Sequence, residues 1–348
     1  MREIWTEINK WQSEGKNVAL ATVVKVSGSS LRPEGSKMLL SSDGAIAGSV
    51  TGGCVEGAVF EETQQVLKTG TPKLLSYGVS NEQAWEVGLS CGGSVEIFVE
   101  ALDTPYWQAV EEGINKAIEA KKIATLSTIV SGEGLGRKMV SSVDGKIAGS
   151  LGSESLENEL MSAIPESNRA THKPLTVTMS DDRIIFVDFL VPPPRLMIVG
   201  ASHIAIPLVK LANTLGYQTI VIDARSAFAT RERFPHADEL IVGWPSEVLD
   251  KLKIDGASCV VCLSHDEKLD NPALLHAISS PARYIGALGS RVTHANRLTA
   301  LQEEGATEEQ LKRIHAPVGL KIGARSPAEI ALSIMAEIVS VVHGVEIK

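Results

Sequence analysis

Pro192-Pro193-Pro194-Arg195-Leu196-Met197-Ile198-Val199-Gly200-Ala201-Ser202-His203 is the stretch on which the fold turns. Three consecutive prolines lack N–H donors and favour a stiff, extended connector, so the chain divides here into a segment 1–191 and a segment 195–348. The apolar run from Arg195 closes on Gly200 as a buried strand entering a turn, and Ser202 to Leu215 reads as a helix packed on it. A second strand, Gln218 to Ile222, ends at Asp223, and strand-like runs recur at Glu239 to Val242, Ser258 to Leu263 and Tyr284 to Leu288 with helical stretches between them. Strands alternating with helices predict a Rossmann-like, doubly wound parallel sheet. Gly200 with Asp223, 23 positions on, stands where a dinucleotide fingerprint places its first glycine and its ribose-binding acid, but Ser202 occupies the second glycine's place. His203 at the start of the helix and His265 after the strand ending at Leu263 belong to the same sheet edge, where such folds bind ligands. Gly200, Ser202, His203, Asp223 and His265 are therefore candidate cofactor-binding residues. For the two histidines, a first-turn surface residue and a loop cap are equally good readings.

Upstream of the prolines the chain repeats itself. Lys37-Met38, Asp43-Gly44 and Ile46-Ala47-Gly48-Ser49 recur as Lys138-Met139, Asp144-Gly145 and Ile147-Ala148-Gly149-Ser150, each at an offset of 101, and Ala21-Thr22 answers Ala124-Thr125. Asp-Gly between two apolar runs is a hairpin signal. Two related, βαβ-like halves follow, joined by a helix from Tyr106 to Ala120. The copies part after Ser49: Val50-Thr51-Gly52-Gly53-Cys54-Val55-Glu56 stands against Leu151-Gly152-Ser153-Glu154-Ser155-Leu156-Glu157, so that Cys54 faces Ser155. With Val55 to Leu67 read as a helix, Gly52-Gly53-Cys54 lies at its N-terminus, where free N–H groups favour an anion and lower a thiol's pKa. Ser29, Ser30 and Arg32 in the preceding loop add hydroxyls and a guanidinium, and Cys91-Gly92-Gly93 brings a second thiol beside a glycine pair, just before a strand from Val95 to Val99. A small buried hydrophobe at a tight turn is the competing reading of either cysteine.

Composition excludes several classes. The 348 residues are 44% apolar and 22% charged, as in ordinary globular proteins. A net charge of −9, with no basic run, argues against a nucleic-acid partner. No apolar stretch is long enough for a membrane span, and Met1-Arg2-Glu3-Ile4-Trp5 is no signal region, so a cytoplasmic location is expected. Four cysteines are too few for a disulfide framework. Cys259-Val260-Val261-Cys262 lies within a predicted strand, where positions three apart face opposite ways, and reads as core. Ser326-Pro327-Ala328-Glu329 opens a helix with a capping box, running to about His343-Gly344. A symmetric homodimer is the default assembly.

The ordered set Gly28-Ser29-Ser30-Leu31-Arg32-Pro33-Glu34-Gly35-Ser36-Lys37-Met38, Gly48-Ser49-Val50-Thr51-Gly52-Gly53-Cys54-Val55-Glu56, Ser90-Cys91-Gly92-Gly93, Tyr284-Ile285-Gly286-Ala287-Leu288-Gly289-Ser290-Arg291 and His315-Ala316-Pro317-Val318-Gly319-Leu320 resembles the XdhC/CoxI family over nearly the whole chain. Its members are accessory proteins of molybdenum hydroxylases such as xanthine dehydrogenase. The resemblance implies a protein that binds molybdenum cofactor (molybdopterin), holds it while a cysteine desulfurase supplies sulfide, and delivers it to the apo-hydroxylase. It would be a chaperone with no catalytic residue of its own, with Cys54 and Cys91 as metal contacts or sulfur carriers. The chain departs from the family pattern at Ser90, Ser202 and Asp223-Ala224-Arg225. An NAD(P)-dependent oxidoreductase with structural cysteines and a cofactor-free assembly scaffold are the alternatives.

Overall fold

A computed structural model describes residues 1–28, 32–53, 55–78 and 93–345. They form two compact units, Met1–Pro192 and Pro193–Lys348.

In the first unit α1 (Arg2–Ser13) precedes two five-stranded sheets joined by α3 (Pro105–Glu119), which is capped at its N-terminus by Thr104. The first sheet holds β1 (Val18–Ser27), β2 (Lys37–Ser41), β3 (Ile46–Gly48), β4 (Lys73–Tyr77) and β5 (Ser94–Ala101) in the order β3-β2-β1-β5-β4, with α2 (Glu56–Thr69) between β3 and β4. The second repeats it with β6 (Ala124–Ser131), β7 (Lys138–Ser142), β8 (Gly145–Gly149), β9 (Leu175–Thr178) and β10 (Ile184–Leu190) in the order β8-β7-β6-β10-β9, and α4 (Glu154–Ala163) and α5 (Glu166–Thr171) before β9.

The internal repeat is real, but its halves are not βαβ units in the parallel sense, because every pairing in both sheets is antiparallel. The helix instead crosses from one edge of its sheet to the other. The repeat is also framed differently at β1: Thr22 pairs with Lys37 and Thr128 with Lys138, so Thr128 rather than Thr125 is the counterpart of Thr22.

The retained residues have physical reasons. A Cβ on Gly48 would lie 2.3 Å from the Lys37 carbonyl oxygen, and one on Gly149 would lie 2.4 Å from that of Lys138. Met38 and Met139 fill the core of their own halves. Lys37 and Lys138 do the opposite and reach across. Lys37 Nζ lies 2.7 Å from Asp188 on β10, and Lys138 Nζ lies 2.7 Å from Glu100 on β5, all four side chains being buried. Between them Leu20, Thr22, Val24 and Phe98 meet their counterparts Leu126, Thr128, Val130 and Phe186 around a cavity of about 20 Å³.

The second unit is a six-stranded parallel sheet of β11 (Arg195–Val199), β12 (Gln218–Asp223), β13 (Glu239–Val242), β14 (Ser258–Cys262), β15 (Tyr284–Ala287) and β16 (Ile314–His315), in the order β13-β12-β11-β14-β15-β16. The order reverses between β11 and β14, the switch point of a Rossmann sheet. α6 (Ala205–Thr214) and α11 (Pro327–His343) cover one face, while α7 (Pro245–Leu252), α8 (Glu267–Ile278) and α9 (Arg291–Glu303) cover the other, with the short α10 (Glu308–Leu311) before β16. α6 begins at Ala205, three residues later than the sequence suggests, since Ser202 to Ile204 form the turn. Cys259 belongs to one core and Cys262 to the other, as strand alternation requires. Ser326 and Glu329 form the expected capping box on α11, which ends on left-handed Gly344. Among the described residues no helix is long and apolar enough to cross a membrane.

Candidate functional site

Antiparallel register gathers distant motifs at one end of the first sheet. β1 ends there at Ser27, β2 starts at Lys37, β3 ends at Gly48, β4 ends at Tyr77 and β5 starts at Ser94. Residues 49–53, which follow β3, and Gly93, which precedes β5, therefore lie at the same rim. In the second sheet only residues 179–183 link β9 to β10 at this end. Of the sequence candidates here, Ser29, Ser30, Cys54, Cys91 and Gly92 lie outside the described residues. Arg32 is partly exposed, Gly52 and Gly53 are exposed, and Gly93 is buried beside β5.

The loop is organised by a residue whose role the sequence reading missed. Glu56, the first residue of α2, turns its carboxylate back into the loop. Oε1 accepts from the Ser49 hydroxyl at 2.8 Å, Thr51 N–H at 2.9 Å and Gly52 N–H at 2.7 Å, and Oε2 accepts from Gly53 N–H at 2.7 Å and from the Thr51 hydroxyl. Burial raises the Glu56 carboxyl, but these donors outweigh it and hold the pKa at about 2. The expectation that Gly52 and Gly53 offer free N–H groups to an external anion is thereby corrected: an internal anion takes both. The signal was present in the sequence, because Glu56 and Glu157 also stand 101 apart.

At the carboxyl edge of the parallel sheet, Asp223 is fully buried at the end of β12. One oxygen accepts from Ala201 N–H at 2.7 Å and Arg225 Nη2 at 2.8 Å, the other from Arg225 N–H and Nε at 2.9 Å each. Burial pushes this carboxyl up, yet the Arg225 guanidinium and the two N–H groups hold it below the ordinary carboxylate range. Its acceptor directions are spent within the protein, so the expected ribose-binding role is not available to it as it stands. Gly200 has φ +102, and a Cβ there would lie 2.5 Å from the Ser264 backbone nitrogen. The glycine serves the packing of the β11 turn on the β14 turn.

His203 and His265 are both exposed, the latter with φ +59, and the Ser202 hydroxyl is buried without a partner. Beneath this edge, unmentioned by any sequence motif, Asp270 accepts from Ser264 Oγ at 2.6 Å and lies 3.9 Å from Arg297, which donates to the Leu288 carbonyl. Burial raises the Asp270 carboxyl.

Family models match both units: the XdhC and CoxI family over residues 11–78 and the XdhC Rossmann domain over residues 196–338. The chain belongs to the XdhC and CoxI family. A probable xanthine dehydrogenase subunit of Bacillus subtilis (strain 168) is 29% identical over 341 residues, 97% of either chain. The molybdenum cofactor insertion chaperone PaoD of Escherichia coli (strain K12) is 27% identical over 327 residues, 94% of this chain and 84% of its own. The crystal structure of a xanthine dehydrogenase from Bacillus halodurans superposes with a TM-score of 0.81 at 26% identity, covering 98% of this chain and 96% of that one. In this XdhC and CoxI family member, the first matched segment takes in β1 to β4 and Glu56, and the second takes in the parallel sheet from Leu196 onward.

Proposed function

We propose that this protein is a molybdenum cofactor chaperone for a molybdenum hydroxylase. Molybdopterin is its cargo, held while a cysteine desulfurase supplies sulfide and then passed to the apo-hydroxylase. The carrying observation is family membership spanning both units, with a named cofactor insertion chaperone related along 94% of the chain. The rim of the first sheet supports the same reading. In sequence, the segments of Ser29, Ser30 and Arg32, of Gly52, Gly53 and Cys54, and of Cys91, Gly92 and Gly93 adjoin the strands of that rim. Two thiols suit a soft, sulfur-bound metal, and hydroxyls with a guanidinium suit the pterin phosphate. In this scheme Cys54 and Cys91 face the molybdenum or its sulfur, and Gly52 and Gly53 serve by shaping the loop. The oxo-for-sulfide exchange draws its sulfur from the desulfurase, and this chain supplies binding and release.

The test is molybdenum and oxidised-pterin fluorescence per protein, on material purified from a molybdopterin-producing host. Both species near stoichiometric in the wild type, and lost in Cys54→Ala and Cys91→Ala, are the expected result. If both variants retain the wild-type load, the thiols are not in the site. A wild type empty of both species would remove the chaperone reading and favour the scaffold. An NAD(P)-dependent oxidoreductase draws support from the parallel sheet, but its ribose acid is engaged by Ala201 and Arg225. Saturable NAD(H) binding weakened in Asp223→Ala would restore it.

A further inference from the structure

Leu288-Gly289-Ser290-Arg291, a motif that the chaperone reading leaves without a task, turns the chain from the carboxyl end of β15 into α9. Ser290 caps the helix by accepting from Thr293 N–H at 3.0 Å, while the N–H groups of Arg291 and Val292 have no acceptor among the described residues. No acidic side chain stands in this first turn. An open helix start with no carboxylate of its own is receptive to an anion, but a helix start alone does not make a site. The deciding observation is Arg297, further along the same helix. It is 2% exposed, yet its Nε and Nη1 are buried without a hydrogen-bond partner. Nη2 donates to the Leu288 carbonyl at 3.0 Å. The Asp270 carboxylate stands 3.9 Å from Nη2, outside hydrogen-bond range, and its other oxygen accepts from the Ser264 hydroxyl at 2.6 Å. Burial pushes Asp270 up, toward its neutral form. Nη1 lies under the turn: a Cβ on Gly289, which has φ +151, would be 3.7 Å from it. Gly289 thus puts no side chain between the guanidinium and the start of the helix. His294, one turn into α9, likewise has a buried Nδ1 without a partner. Buried donors left unspent are costly until an acceptor reaches them.

We propose that the start of α9 is a phosphate site of the second unit, with Arg297 beneath it and the Arg291 and Val292 N–H groups at its mouth. The guanidinium is a fixed fork of charge-assisted donors suited to phosphate oxygens, and the helix start adds N–H donors and the positive end of its dipole. A phosphate monoester, with three terminal oxygens and a double charge, matches this set. The turn belongs to the carboxyl edge of the sheet, where ligands of such folds bind. It lies two strands from β11, so it is not the pyrophosphate place of the Gly200 fingerprint. A nucleoside monophosphate and a phosphorylated pterin both carry the group. The placement stands apart from the chaperone reading, which only the pterin would deepen.

The test is isothermal titration calorimetry of the whole chain with inorganic phosphate, with AMP beside adenosine, and with the phosphorylated oxidised pterin of molybdopterin beside its dephosphorylated form. At least one ester is expected to bind, its dephosphorylated form roughly tenfold or more weakly, as the loss of about one charge-assisted hydrogen bond would give. Binding of AMP alone supports a nucleotide ligand, and of the pterin phosphate alone a cargo contact in the second unit. Binding of both, with inorganic phosphate, supports a site that reads the phosphate only. Arg297→Lys keeps the charge without the fork and is expected to weaken the bound ester roughly tenfold. Because Arg297 also braces the Leu288 carbonyl, Val292→Glu is the variant that spares the fold. Val292 is 71% exposed, and a carboxylate in the first turn favours the helix while it competes for the phosphate's place. It is expected to abolish binding with an unchanged or raised thermal midpoint, which no loss of structure would give. The proposal is overturned if neither inorganic phosphate nor either ester binds the wild type, if the dephosphorylated forms bind as tightly as the esters, or if Val292→Glu binds as tightly as wild type. A pterin phosphate that fails where AMP binds leaves the site standing and bears only on its ligand.

Discussion

Lys138 shows how a single side chain can serve a fold from a place where lysine does not belong. Its side chain is 1% exposed, its ammonium touches Glu100 at 2.7 Å and Thr128 Oγ1 at 2.9 Å, and it lies over the rings of Phe98 and Trp107. Burial pushes the lysine down and the glutamate up, and the pair holds only because each opposes the other's shift. Removing one partner leaves a buried charge uncompensated, which costs about 3–5 kcal/mol, whereas replacing both with apolar residues of similar volume is often neutral. Lys138→Met is therefore expected to destabilise the first unit by that amount in urea unfolding followed by tryptophan fluorescence, four of the five tryptophans lying in that unit, and Lys138→Met with Glu100→Leu to regain most of it. An additive double variant would mean that the two charges do not see each other.

Asp223 carries the residue-scale pH dependence. Its folded pKa is depressed below the ordinary 3.8, so the stability it contributes is fully present above about pH 4 and is lost as the pH falls through the folded value. The difference in stability between wild type and Asp223→Asn should accordingly be flat from pH 5 to 8 and shrink toward pH 3. Growth of that difference in acid would contradict the depressed value.

Among the elements, the turn from β11 into α6 is the least tolerant. Gly200 combines a positive φ with backbone contact to Ser264, so Gly200→Ala meets both a left-handed backbone penalty of about 1–3 kcal/mol and a clash that no rotamer relieves. A lowered midpoint for the second unit by calorimetry is the expected outcome, and an unchanged one would show that the two turns can part. β11, β12, β14 and β15 were legible because a strand buried on both faces reads as a continuous apolar run. β16, only two residues, leaves no such pattern. In the first unit the repeat was legible as identities and the Asp-Gly turns as hairpins, which β2–β3 and β7–β8 are, but the full antiparallel order was not, since it is set by backbone pairings of β1 with β5 and of β6 with β10, far apart in sequence. Glu56 was visible as a repeated letter. Its set of donors was not, because three of the five are backbone N–H groups, which every residue type but proline carries.

Across the whole molecule, the four cysteines divide between the two units, but reactive thiol chemistry is expected only in the first. Cys259 and Cys262 are buried on opposite faces of the parallel sheet; burial pushes the first to about 12 and the second well above its ordinary value. A thiol reacts as its thiolate and only where reagent can reach it, so neither should respond to a disulfide reagent at neutral pH while the sheet is folded. Titration of the native protein with Ellman's reagent is expected to find no more than two thiols, those of Cys54 and Cys91, and four in guanidinium chloride. Cys259→Ser with Cys262→Ala should then cost stability through lost packing yet leave cargo and the native thiol count unchanged. Reaction of a third thiol in native protein would mean that the parallel sheet opens on the time of the assay, and the confinement of thiol chemistry to the rim of the first sheet would fall with it.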